Sequence, residues 1–250
     1  MRTSLSLLLS FVFITACASL SQQIPGKDAL IWHDEFDTAT LDTTKWIYRS
    51  PGPRRDAINV KESIEVKNGN LMIITRQSGN EYHTGMVATA GKFEHTFGYW
   101  EARMKFQDEL GHWSAFWLQS PEMGVVGDSR KYGAEIDVIE YLVNKGDTVL
   151  NNIHWDGYGE DHKHEGHDSH FPGLSEGYHR IGFEWTPDEY IFYVNDVEMW
   201  RTDQAVSHRP EYIILSLEVG RWAGDIADAN LPDTLFVDYV RVYEHKPDIK

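Results

Sequence analysis

From residue 99 onward the apolar residues fall in short alternating or continuous runs, at 99–106, 114–119, 135–142, 148–155, 179–186, 190–194, 211–219 and 234–243. Runs of this length, rich in branched and aromatic residues and bounded by turn residues, predict strands. Nowhere does a 3.6-residue apolar period persist long enough for a long helix. Asn195-Asp196, between Ile191-Phe192-Tyr193-Val194 and Val197-Glu198-Met199-Trp200, predicts a two-residue hairpin turn. Pro51-Gly52-Pro53 and Asn68-Gly69-Asn70 mark turns in the earlier part of the chain. Many closely spaced strands without a repeat or low-complexity tract predict an all-β fold, an antiparallel β-sandwich.

One run carries unusual chemistry. Gly133-Ala134-Glu135-Ile136-Asp137-Val138-Ile139-Glu140-Tyr141-Leu142 places three carboxylates within six residues, among branched apolar partners that favour a pleated strand. Alternation puts Glu135 and Asp137 on one face and Ile136 on the other. Glu140 has the opposite parity, so a regular strand would drive its carboxyl into the core at a heavy desolvation cost. A β-bulge around Val138-Ile139 returns Glu140 to the face of the other two. A solvated acidic edge or a metal site could use the same three groups, but edge acids rarely alternate with such apolar neighbours. Cleavage of a glycosidic bond needs this pattern: one ionised carboxylate at the anomeric carbon, and a second carboxyl kept protonated to donate to the leaving oxygen. Crowded negative charge helps to separate the two roles, because it raises the pKa of the more buried group.

Glu135-Ile136-Asp137-Val138-Ile139-Glu140 resembles the catalytic signature of glycoside hydrolase family 16, in the six-residue bulged form of its laminarinase-like, agarase-like and carrageenase-like members. The resemblance extends over residues 29–245 and includes Asp34-Glu35-Phe36-Asp37, Gly69-Asn70-Leu71, Trp113-Ser114-Ala115-Phe116-Trp117 and Phe236-Val237-Asp238-Tyr239-Val240-Arg241-Val242-Tyr243. It implies a concanavalin-like jelly roll with a concave groove open at both ends. It also implies Glu135 as nucleophile, Glu140 as general acid/base and Asp137 as the residue that positions and tunes Glu135. No cofactor is expected for catalysis. A structural calcium is implied at Glu35, the backbone of Gly69 and the side chain of Asp238, whose oxygen donors suit that ion.

Around the acids, Trp113 and Trp117 share parity, and the resemblance places them in the groove as a sugar platform rather than in the core. Asn152 and His154 also share parity, on the run expected beside the acids, where a histidine can hold an acid in place or bond sugar hydroxyls. Trp155 on that run, Arg103 on an earlier one, and Asn59 on an early loop complete the substrate-binding candidates. Arg54-Arg55, just before Asn59, could read an anionic substituent or form a solvated pair. His162, His164, His167 and His170 could ligate zinc, but without a tetrahedral signature the segment reads as a loop over one end of the groove.

With 250 residues and 41% hydrophobic content the chain can bury one large core. Its net charge of −16 disfavours nucleic acid or an anionic membrane as partner. Met1-Arg2-Thr3 and the apolar run 5–14 read as an export signal. Ile14-Thr15-Ala16-Cys17 resembles a bacterial lipobox, with an ordinary signal peptide as the alternative. Cys17 is the only cysteine, which excludes an intrachain disulfide. The expected organisation is a leader over 1–17, a tether over 18–28, a catalytic domain over 29–246 and a tail over 247–250. The chain is expected to be exported, as an outer-membrane lipoprotein or a periplasmic or secreted protein, monomeric, and to touch a membrane only through a lipid on Cys17. The expected activity is endo-acting, retaining hydrolysis of a β-linked polysaccharide, with β-1,3-glucan first and a β-galactan second. A non-catalytic carbohydrate-binding lipoprotein is the rival from another class.

Overall fold

A computed structural model describes residues 24 and 26–248. The expected leader, Cys17 and most of the tether lie outside the described residues. Two layers of strands stack face to face. The groove-bearing sheet runs Ile47–Tyr48, Glu81–Ala88, Tyr212–Val219, His112–Gln119, Glu135–Leu142, Thr148–Trp155 and Lys163–His170, each antiparallel to the next. In the outer sheet the long strand Asp233–Tyr243 pairs with Leu30–Asp34 and Asn70–Ser78 along one edge and with Gly98–Lys105 along the other. His179–Trp185, Tyr190–Val194 and Val197–Thr202 continue that sheet. The strand pair Asn70–Ser78 and Glu81–Ala88 joins the layers.

Alternation decides what lies between the sheets. Phe116 and Leu118 face Trp100, Met104, Phe183 and Val240 of the outer sheet in one continuous core. Full burial of each such side chain stabilises by about 1.5–3 kcal/mol. Ala115 and Trp117 face the other way, into a separate cluster with Met86, Tyr212 and Ile214 under the groove. The whole of His112–Gln119 is buried, so its alternation shows in its partners rather than in exposure.

The hairpin at Asn195-Asp196 forms as expected, with φ of 49° and 67° at the two turn residues. Residues 162–170 differ from expectation. They were expected to form a loop, yet Lys163–His170 is a full strand paired along Thr148–Trp155 at the edge of the groove-bearing sheet. Its inward side chains are polar: Glu165 hydrogen-bonds Thr202 and His167 stacks on Trp200 across the sandwich. An edge strand with polar groups on both faces leaves no hydropathy signal.

The acid-bearing strand contains the expected bulge. Against His112–Gln119 the register passes from Asp137↔Trp117 to Ile139↔Phe116, two residues on one strand for one on the other. Against Thr148–Trp155 it slips between Asp137 and Glu140. Val138 and Ile139, consecutive in sequence, are both buried in the main core, 1% and 0% exposed, and this turns Glu140 back to the groove. Deleting Val138 removes the extra residue and should reverse the parity of Glu140. Hydrolysis should fall to background, by reducing-sugar assay, in protein whose β-rich circular dichroism persists; retained activity would show that the bulge does not place the acid.

Candidate active site

The groove encloses about 220 Å³ over the middle of its sheet and is lined by Glu135, Asp137 and Glu140 together. Each acid has different neighbours. Glu135 accepts from Gln119 Nε2 at 2.8 Å and from the Tyr158 hydroxyl. Asp137, 6% exposed, lies 3.3 Å from His154 Nε2. Glu140 accepts from Trp113 Nε1 at 3.2 Å on one oxygen and from Asn152 Nδ2 at 2.9 Å on the other.

These surroundings separate the acids electrostatically. Burial pushes Glu140 up to about 8, with the Asp137 charge adding to the rise and the Asn152 hydrogen bond opposing it. Asp137 is also raised, by burial first and then by Glu135 and Glu218. A carboxyl with a pKa near 8 is protonated at neutral pH and can donate to a leaving oxygen. Glu135, like Glu140, accepts from two donors, and both open onto the groove on either side of Asp137.

The other expected site residues divide. Trp113 and Trp117 line the groove, but at 4% and 5% exposure they form its floor rather than free platforms. Trp117 Nε1 donates to Ser216 Oγ at 3.1 Å. Asn152 and His154 reach the acids, opposite Gly166 and His164 in register. Gly166 is required there: a Cβ on it would meet Asn152 Oδ1 at 2.3 Å and displace the amide that steadies Glu140. Three substrate-binding candidates lie elsewhere. Trp155 has the opposite parity to His154 and packs against the main core. Arg103 sits on the outer sheet, paired with Asp238 at 2.7 Å and stacked over Tyr178. Asn59 bonds the Ser50 carbonyl and lines a neighbouring cavity with Tyr48, Arg49 and Met86.

The residues that the resemblance implies for calcium have other partners. Glu35 receives two hydrogen bonds from Arg241, at 2.9 and 2.7 Å, and a third contact from His33. Asp238 is neutralised by Arg103, and Gly69 lies in a tight turn with φ of 71°. Arg241 thus engages both oxygens of Glu35, and Arg103 one oxygen of Asp238.

Several groove residues escaped sequence reasoning. Glu218 is gripped by Arg54 at 3.0 and 2.7 Å and by Arg55 at 2.7 Å, and Arg55 also lies over the Trp113 ring. Parity with Ser216 was the available signal for Glu218. Trp222, 46% exposed, meets Trp113 edge-on at 5.3 Å and offers a sugar-sized apolar face at the rim. Tyr158 lies in a loop entered through Asp156 and Gly157, both at positive φ, and no periodicity marks such a position.

A family model for glycosyl hydrolases family 16 matches residues 53–241. The chain belongs to that family. Among its relatives, a beta-glucanase of Rhodothermus marinus is 29% identical over 86% of this chain and 84% of its own length. A keratan-sulfate endo-1,4-beta-galactosidase of Sphingobacterium multivorum is 30% identical over 86% of this chain and 55% of its own length. The chain spans only 38% of the length of the endo-1,3-1,4-beta-glycanase EglC of Rhizobium meliloti, with 29% identity. The catalytic domain of an endo-1,3-beta-glucanase (laminarinase) from Thermotoga petrophila superposes with a TM-score of 0.74 at 28% identity, covering 88% of this chain and 98% of that one.

If Glu140 is the acid, kcat/KM falls as pH rises through about 8. Asn152→Ala removes a bond to the ionised form, so the alkaline limb should move to higher pH while kcat drops; a limb that stays in place would remove Asn152 from this role. Glu211 lies behind the strand, fully buried, and accepts from the Ala134 backbone N–H at 3.0 Å. Burial raises it to about 8 from an ordinary 4.5, so it adds stability below pH 4.5 that is lost as pH rises through 8. Glu211→Gln should therefore lose less Tm than wild type between about pH 5 and about pH 9, by calorimetry.

Proposed function

We propose that this protein is an exported, endo-acting β-glycanase that cleaves internal bonds of a β-linked polysaccharide with retention of configuration, and that its substrate is a β-1,3-glucan. The observation that carries the reading is the delivery of Glu135, Asp137 and Glu140 to one groove by a single bulge, with different hydrogen-bond partners for the two outer carboxyls. Glu135 attacks the anomeric carbon while Glu140 gives its proton to the departing oxygen. Glu140, now ionised, takes a proton from water as that water displaces Glu135 from the sugar. Asp137 lies between them, and when it is ionised its charge supports proton retention on Glu140.

The glucan reading is supported by relatives and a structural neighbour named as beta-glucanase and endo-1,3-beta-glucanase. A β-galactan is the second reading, supported by the keratan-sulfate endo-1,4-beta-galactosidase relative. The arginines weigh against a sulfated ligand at this point, because Arg54 and Arg55 already share the carboxylate of Glu218. A purely binding role leaves the raised pKa of Glu140 without a use. Export through the leader and anchoring through Cys17 belong to the same proposal and rest on the sequence of the first 17 residues.

The test is hydrolysis of a panel of β-glucans and β-galactans with product sizes followed over time. Rapid shortening of laminarin into mixed oligosaccharides is expected. Glu140→Gln should lower kcat by about 10²–10⁴-fold on substrates with poor leaving groups. Glu135→Gln should abolish turnover while oligosaccharide binding survives. Absence of hydrolysis by wild type across the panel would leave the carbohydrate-binding role.

A further inference from the structure

Among the described residues, Glu135, Asp137 and His154 bring three metal-ligating atoms within 4.8 Å of one another. The set is mixed, two carboxylate oxygens and an imidazole nitrogen, and opens onto the groove. Hard cations such as calcium and magnesium select oxygen donors, whereas an imidazole shifts preference toward zinc and copper(II). The local charge suits a dication: the arginines nearest the groove are engaged by Glu218, and Glu135 and Asp137 have none of their own.

The histidine has the backing that a metal ligand commonly has. Its other ring nitrogen, Nδ1, lies 3.0 Å from His162 Nε2, and the two rings stack with centroids 5.1 Å apart. Either ring can be the donor in this pair. When His154 donates Nδ1–H to His162, its Nε2 lone pair points at Asp137, 3.3 Å away. A lone pair and a carboxylate facing each other need a proton or a cation between them. His162 can hold His154 in that tautomer, as an outer partner orients a ligating histidine elsewhere. His164, whose ring centroid is 5.8 Å from that of His154, packs on the same side.

We infer that Glu135, Asp137 and His154 form a binding site for a single zinc or copper(II) ion, open to a water as fourth ligand, which blocks the groove reversibly while it is held. The ion would tie up the carboxylate that attacks and the one that tunes it, so metal and sugar compete for the same atoms. Binding itself depends only on the geometry above. Its inhibitory consequence rests on the glycanase reading.

Isothermal titration of chelator-stripped protein with zinc chloride tests the site, with laminarin hydrolysis as the kinetic arm. The expected result is one saturable zinc per chain. His154→Phe and Glu135→Gln should each weaken it at least tenfold, and His162→Ala should weaken it about 10–100-fold through loss of the outer partner. His170→Ala should leave it unchanged, which separates the groove from the exposed histidines of the edge strand. Zinc should raise the apparent KM for laminarin with little change in kcat, and EDTA should restore it. Absence of stoichiometric binding, or binding that survives both His154→Phe and Glu135→Gln in folded protein, overturns the inference. Zinc binding by a protein that hydrolyses no glycan would leave the site standing and remove the glycanase reading instead. Hydrolysis without zinc binding would do the reverse.

Discussion

The site depends on one surplus residue in one strand. A regular Glu135–Leu142 strand would pair every residue with its neighbours and send Glu140 into the same layer as Ile136. Because Val138 and Ile139 both insert into the core, their combined burial holds the strand in its irregular register. Restoring regular pairing would expose one of these side chains on the groove face and bury the Glu140 carboxyl between the sheets. Packing and chemistry therefore favour the same backbone irregularity, and a strain argument is unnecessary.

Burial does a second thing at this strand. The acids stand on the groove face, but the sheet around them is so enclosed that Asp137 is almost inaccessible and Glu140 sits deep against Trp113 and Asn152. Low polarisability penalises charge, and three carboxyl groups close together cannot all ionise cheaply. At Glu140 burial is the first cause of the raised pKa. Two donors reach each outer acid, and at Glu140 the Asn152 bond only partly offsets the rise that burial causes.

Elsewhere several carboxylates are met by arginines. Arg241 on Glu35 and Arg54 on Glu218 use the flat guanidinium fork that matches a carboxylate, while Arg103 on Asp238 and Arg55 on Glu218 each make one bond. At Glu35 this pairing engages both carboxylate oxygens, and at Asp238 one of them. At Glu218 it turns two arginines that could have faced an anionic sugar into a wall behind Trp113. Among the described residues Glu135, Asp137 and Glu140 have no arginine partner, and all three open onto the groove.

Much of this was legible in the residues themselves. Local rules determined the strands at 135–142 and 190–194, the hairpin at Asn195-Asp196, the common face of Trp113 and Trp117, and the need for a bulge before Glu140. Period-two alternation and the cost of burying a charge act within a few residues, and a sequence displays both directly. Tertiary structure alone decided which sheet each strand joined. Arg103 went to the outer sheet and Trp155 to the core, Glu35 found Arg241 from the far end of the chain, and the polar strand Lys163–His170 formed because Thr148–Trp155 offered it an edge. Pairing between distant segments depends on backbone hydrogen bonds and ion pairs whose partners are far apart in sequence, and hydropathy carries no record of them.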